Sequence, residues 1–155
     1  MDTVSPHAPW SYSLQLPHDP RAPRVARMTL RAVLGGHDMG ELLDTAELLV
    51  CELVTNAYRH SDGPAALRLR SMEGGWLRVG VWDTNPVIPA PFDKPPGAAV
   101  PGVGTVDSDG GRGLLLVQLC ADNWGGHLLG DDLFGRGGKL LWFELAPTSD
   151  LARAA

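Results

Sequence analysis

Glu52 and Asn56 stand four residues apart in the stretch Glu47–Ser61, E-L-L-V-C-E-L-V-T-N-A-Y-R-H-S. On a helix that spacing places a carboxylate and a carboxamide one above the other on the same face. At about 100° per residue, Leu42, Leu43, Ala46, Leu49, Val50, Leu53, Val54 and Ala57 fill an arc of roughly 140°, the width of a core-facing stripe. Glu52 and Asn56 fall at its margin. A carboxylate partly withdrawn from water beside a fixed amide oxygen suits proton abstraction next to a hard cation. A surface glutamate ahead of a helix-ending asparagine has the same spacing, so the chemistry needs support from residues further along the chain. His60, at the end of the same stripe, reads as a packed or capping histidine rather than a catalytic one.

Two downstream features qualify. In Trp76–Asp83 the residues Leu77, Val79 and Val81 share a strand face and the same parity carries Asp83 onto it, where an acidic side chain needs a partner. That partner is either the exocyclic amine of adenine, which guanine does not offer at that position, or the local backbone in an Asx turn over Asp83-Thr84-Asn85-Pro86. Further on, Gly110-Gly111-Arg112-Gly113 runs straight into Leu114-Leu115-Leu116-Val117-Gln118-Leu119. Glycines at a helix start permit a tight turn whose free N–H groups and helix dipole attract phosphate oxygens, although such a pair also occurs as plain structure. Neither a Walker A loop nor the G-x-G-x-x-G spacing is present.

The elements that must position these groups are read from periodicity. Residues 1–9 carry Pro6 and Pro9 and read as a loose arm. Trp10, Tyr12, Leu14 and Leu16 alternate with Ser11, Ser13 and Gln15, a half-buried strand. Asp19, Pro20 and Pro23 start a helix that runs to about Leu34, with Val25, Met28, Leu30 and Val33 inward, Arg21, Arg24, Arg27 and Arg31 outward, and Gly35-Gly36 as its stop. The central helix covers about Glu41–His60 and ends in Ser61-Asp62-Gly63-Pro64. Strands over about Ala65–Ser71 and Trp76–Asp83 join through Glu73-Gly74-Gly75. Thr84–Gly111 is a long irregular stretch with Pro86, Pro89, Pro91, Pro95, Pro96 and Pro101, of the kind that is functional or disordered. After the third helix, strands near Trp124–Leu129 and Lys139–Leu145 close a single domain spanning residues 10–147, with 148–155 as a short tail.

This order predicts an α/β two-layer sandwich: a mixed, mostly antiparallel sheet of about five strands covered on one face by about three helices. A chain of 155 residues, 44% hydrophobic and 20% charged, suffices for one such core. The net charge of −5 argues against a general nucleic-acid or membrane-surface binder while leaving room for a single nucleotide. Cys51 and Cys120 read as two buried free thiols. No basic segment followed by an apolar core opens the chain and no apolar run approaches a membrane span, so the expected location is the cytoplasm.

In order, the chain presents E-x-x-x-N-A on a helix, D followed by N-P at a strand end, a long loop, G-R-G-L opening a helix, and G-K-L-L-W-F-E-L on a last strand. This set resembles the GHKL ATPase superfamily, the Bergerat fold, and within it the small anti-sigma-factor serine/threonine kinases of the RsbW and SpoIIAB type in their actinomycete form. The likeness covers about Trp10–Pro147. It implies that Asn56 supplies an oxygen to Mg²⁺ on the ATP phosphates and that Glu52 is the catalytic base. It implies further that Asp83, with Asn85 beside it, holds the adenine, and that Gly111, Arg112, Gly113 and Leu114 line the phosphates under a lid formed by Thr84–Asp109. The implied partners are an anti-anti-sigma factor with a STAS domain, a sigma factor, and a second copy of the chain in a homodimer. Two positions depart from the pattern. Asn85-Pro86 replaces the first glycine of a D-x-G-x-G box, and Leu140 stands where a threonine hydroxyl often supports the aspartate through water, a loss worth on the order of 1 kcal/mol in nucleotide binding. A binding module without catalysis is the rival expectation. A sensor histidine kinase transmitter is disfavoured, because no helix offers a phospho-accepting histidine on a dimerisation hairpin.

Overall fold

The computed structural model describes residues 8–90, 92–93, 111–129 and 137–147, with only the backbone described at 111 and 112. The arm and the tail expected at the two ends therefore lie almost wholly outside the described residues. Among the described residues five strands form one sheet: β1 (Ser11–Leu16), β2 (Ala65–Met72), β3 (Trp76–Asp83), β4 (Asn123–Leu128) and β5 (Lys139–Leu145), in spatial order β1-β2-β3-β5-β4. All four pairings are antiparallel, so the expected mixed sheet is a uniformly antiparallel one. Its three helices are α1 (Ala22–Gly36), α2 (Leu43–His60), entered through a 3₁₀ turn at Gly40–Leu42, and α3 (Gly111–Cys120).

One parity of each strand is apolar and buried under the helices. It comprises Leu67 and Leu69 on β2, Leu77, Val79 and Val81 on β3, and Leu141, Phe143 and Leu145 on β5, meeting Leu49, Val50, Leu53 and Val54 of α2. The other parity carries Arg68, Arg70 and Arg78 with Trp76, Trp82 and Trp142, and on this face the Arg78 guanidinium lies 4.3 Å from the Trp142 ring centre. The alternation read in β1 holds, with burial deepening from exposed Tyr12 to Leu16, because β1 is an edge strand.

Helix α1 differs from its expected orientation. Ala22, Ala26, Leu30, Val33 and Leu34 are buried, whereas Val25 and Met28 are 43% and 60% exposed. Helix α1 packs on α2, and alanines at the contact let two helix axes approach more closely than valine and methionine would. The helix also runs through Gly35 and Gly36, and the chain turns only at Asp38, whose φ is 58°. Both cysteines are free as expected, but Cys51 is half-buried and Cys120 exposed. Among the described residues no helix is long and apolar enough to cross a membrane.

The start of α1 supplies a titration. The Arg21 side chain and then its backbone N–H donate to Asp19, which lowers the Asp19 pKa from 3.8 to about 2. The charged form is favoured in the fold. Its contribution is therefore complete above 3.8 and lost as pH falls through about 2. An NMR titration of the Asp19 carboxyl carbon is expected to show the low midpoint, and a midpoint near 3.8 would mean that the contact does not persist in solution.

Candidate functional site

Helix α2 packs on β2 and β3 and against α3, and it carries both groups of the E-x-x-x-N pair. Glu52 is half-buried, and Asn56 is 7% exposed. Among the described residues the Asn56 Oδ1 is buried without a hydrogen-bond partner. A carboxamide oxygen so placed forfeits the stabilisation that most buried acceptors obtain. Glu52 meets the start of α3: a Cβ built on Gly113 would collide with Glu52 Oε2 and lie 3.0 Å from its carboxyl carbon. The missing side chain at Gly113 leaves room for this carboxylate against the first turn of a helix, whose leading N–H groups have no partner within the helix.

The far end of α2 is tied to the end of β3. Asn85 Nδ2 donates to the His60 carbonyl at 2.6 Å and Ser61 Oγ lies 2.8 Å from Thr84 Oγ1, so Asp83 is held at a set place relative to the Asn56 face. His60 itself is exposed rather than packed, and its contribution is this carbonyl. Asn85 is a connector, because its Oδ1 also accepts from Val87 N–H at 3.0 Å.

Asp83 is 1% exposed and its Oδ1 accepts the Asn85 N–H at 2.8 Å, the Asx turn read from the sequence. The same oxygen accepts from Lys139 Nζ at 2.8 Å, in an ion pair whose side chains are 1% and 2% exposed. Lys139 Nζ donates in addition to the Asn85 carbonyl at 3.2 Å. Lys139 is the partner of Asp83 that reading the sequence missed. Its signal was present: it is one of only two lysines, and it has the same strand parity as Leu141, Phe143 and Leu145, so it faces inward. Leu140 is correspondingly reassigned. It pairs with Trp82 and His127 on the helix-free face and packs over Gly80, away from Asp83, so no side chain at 140 stands beside the aspartate.

Gly138 makes the Lys139 approach possible. Its φ is +85°, and a Cβ there would collide with the Asp83 carbonyl oxygen and meet Trp82 Nε1 at 3.1 Å. Trp82 Nε1 in turn donates to the Gly137 carbonyl at 2.9 Å. Gly138→Ala is expected to cost about 1–3 kcal/mol from the left-handed backbone alone, read as a lower urea midpoint. An unchanged midpoint would mean that the Gly137-Gly138 turn does not hold this conformation in solution.

Other expected site residues divide. Leu114 is 2% exposed in the hydrophobic core, so only its backbone remains available to a ligand. Gly111 opens α3, while the Arg112 side chain lies outside the described residues. Of the expected lid Thr84–Asp109, residues 91 and 94–109 also lie outside them, and Phe92 is fully buried with its ring 5.3 Å from that of Trp124. The segment is thus anchored on β4 at that point. No group of histidine, cysteine, aspartate and glutamate able to hold a metal by itself occurs among the described residues. An open depression is lined by Trp10, Arg70, Met72, Trp76 and Glu144, at the hairpin end of β2 and β3 and away from Asp83.

Comparison with known proteins bears on the family and the fold. The sequence profile of the histidine kinase-like ATPase domain matches residues 16–126. An uncharacterised protein of Streptomyces coelicolor is 37% identical over 82 residues, 52% of this chain and 70% of that protein. Among solved structures, the RsbU and RsbW domains of a Mycobacterium tuberculosis protein superpose with a TM-score of 0.60 at 14% identity. That likeness covers 90% of this chain, which spans only 33% of the other, and it bears on fold alone.

Proposed function

Since the chain belongs to the histidine kinase-like ATPase domain family, the GHKL superfamily with an RsbW-like fold, we propose that it binds ATP with Mg²⁺ and transfers phosphate to a serine or threonine of a protein partner. The observation that carries the reading is the buried, unpartnered Asn56 Oδ1 above Glu52, with Glu52 set against Gly113 at the start of α3. An oxygen acceptor of this kind fits a hard cation that takes few protein ligands and leaves the rest to water and phosphate. Bound there, Mg²⁺ supplies charge neutralisation at the phosphates. Glu52 accepts the proton of the attacking hydroxyl. The N–H groups of the first turn of α3, beginning at Gly111, face phosphate oxygens, and Asp83 receives the adenine amine.

The partner is, on this reading, an anti-anti-sigma factor of the STAS type, and the chain acts as an anti-sigma factor that switches between that partner and a sigma factor. It works as a cytoplasmic homodimer. The motifs Glu52–Ala57 and Gly111–Leu114, which resemble those of RsbW-type kinases, motivate this assignment. A second reading, a GHKL shell that regulates by holding a partner without catalysis, is favoured by one observation: Asp83 and Asn85 already have partners within the chain.

Titration calorimetry of ATP, ADP and GTP, with and without Mg²⁺, tests the proposal on the wild type and on Asn56→Ala. The expected result is Mg²⁺-dependent binding of adenine nucleotides only, weakened about ten- to a hundredfold in Asn56→Ala. No binding of any nucleotide would favour the non-catalytic reading. If binding is found, phosphate transfer to a STAS-domain serine is the next assay.

A further inference from the structure

The proposed adenine contact and the observed ion pair compete for one carboxylate. Asp83 is 1% exposed, and Lys139 Nζ sits on its Oδ1 at 2.8 Å while also reaching the Asn85 carbonyl at 3.2 Å. Lys139 is itself 1% exposed, so this is not a surface lysine leaning over a cleft. An exocyclic amine approaching Asp83 offers the same kind of N–H donor that the ammonium already provides. With the lysine in place, the buried carboxylate already has its counter-charge and two donors on Oδ1, so a neutral amine adds less than it would to an unpaired carboxylate. With the lysine withdrawn, the carboxylate is left unpaired until another donor arrives. The lysine stem has four rotatable carbon–carbon bonds, so the ammonium can change place without movement of the strand.

We propose that Lys139 is an internal competitor for the adenine amine: a latch that closes the nucleobase end of the site when it is empty and must swing out when nucleotide binds. The inference rests on the nucleotide-binding reading and assigns a specificity-determining role to a residue of this chain. The latch lowers apparent nucleotide affinity by the fraction of time that it stays closed.

The test uses the wild type first. Besides Lys139 the chain has a single lysine, Lys94, so acetylation by acetic anhydride with readout by mass spectrometry reports each one separately. Lys139 is expected to resist acetylation in the free protein and to become reactive in saturating Mg²⁺-ADP, the reverse of ordinary protection by a ligand. In parallel, Lys139→Thr is expected to bind ADP about tenfold or more tightly than the wild type by calorimetry. If ADP binds the wild type and Lys139 stays equally protected, or if the threonine variant binds no more tightly, the latch is overturned and the nucleotide reading stands. If neither protein binds ADP, the nucleotide reading fails and the latch with it. The wild-type footprint decides the matter even if the variant folds poorly.

Discussion

Asp83→Ala is expected to lower the unfolding free energy by about 3–5 kcal/mol in the absence of any nucleotide, because it leaves the Lys139 ammonium buried with no carboxylate. Domains of this size have only about 5–15 kcal/mol to lose, so the variant should unfold at a much lower urea concentration and some of it should be unfolded when isolated. The Asn85 N–H loses its acceptor in the same step, and the connection from the end of β3 back to α2 through Asn85 and His60 loosens with it. Replacing both members of the pair, as in Asp83→Leu with Lys139→Met, removes both desolvation costs and is expected to restore about half or more of the loss. A single Asp83 variant with the wild-type midpoint would show that the pair contributes nothing to folding. The consequence reaches the functional assays: loss of nucleotide binding in an Asp83 variant is evidence about adenine only when the variant is shown to be folded at the assay temperature.

Glu52→Gln is expected to reduce phosphate transfer by about 10²–10⁴-fold, the usual weight of a positioned general base, with nucleotide affinity close to that of the wild type. Glutamine has the shape of glutamate, so the side chain still fits against Gly113 and the fold is unaffected. What is lost is the ability to take a proton. Single-turnover transfer from ATP to a STAS-domain serine, measured alongside calorimetry of ATP, separates the two effects. Turnover at the wild-type rate would remove Glu52 from the base role and leave it as the side chain that spaces α2 from α3.

The order of elements, the sheet parity and the chemistry-bearing face of α2 are properties of the sequence itself. Alternation in β3 places Leu77, Val79, Val81 and Asp83 on one face whatever the strand pairs with, and a helical period does the same for Glu52 and Asn56 beside the apolar stripe of α2. Gly113 was legible as a residue at a helix start. That it faces Glu52 was not, because it depends on how α3 lies on α2. The inward face of α1 was misread for a related reason. Its alanines and its larger apolar residues describe two overlapping arcs, and only the close contact with α2 selects Ala22 and Ala26 over Val25 and Met28.

The decision that belongs wholly to the tertiary structure concerns Asp83. From its own strand, Asp83 needs a partner, and sequence leaves that partner open between the local turn and a ligand. Register then brings β5 against β3 with Lys139 opposite Asp83, across 56 residues of chain, and the left-handed Gly138 lets the two backbones close. A buried charge must be answered by whatever lies nearest in space. Periodicity reports only which face a residue is on, so it set out that need, and the pairing of β3 with β5 determined what meets it.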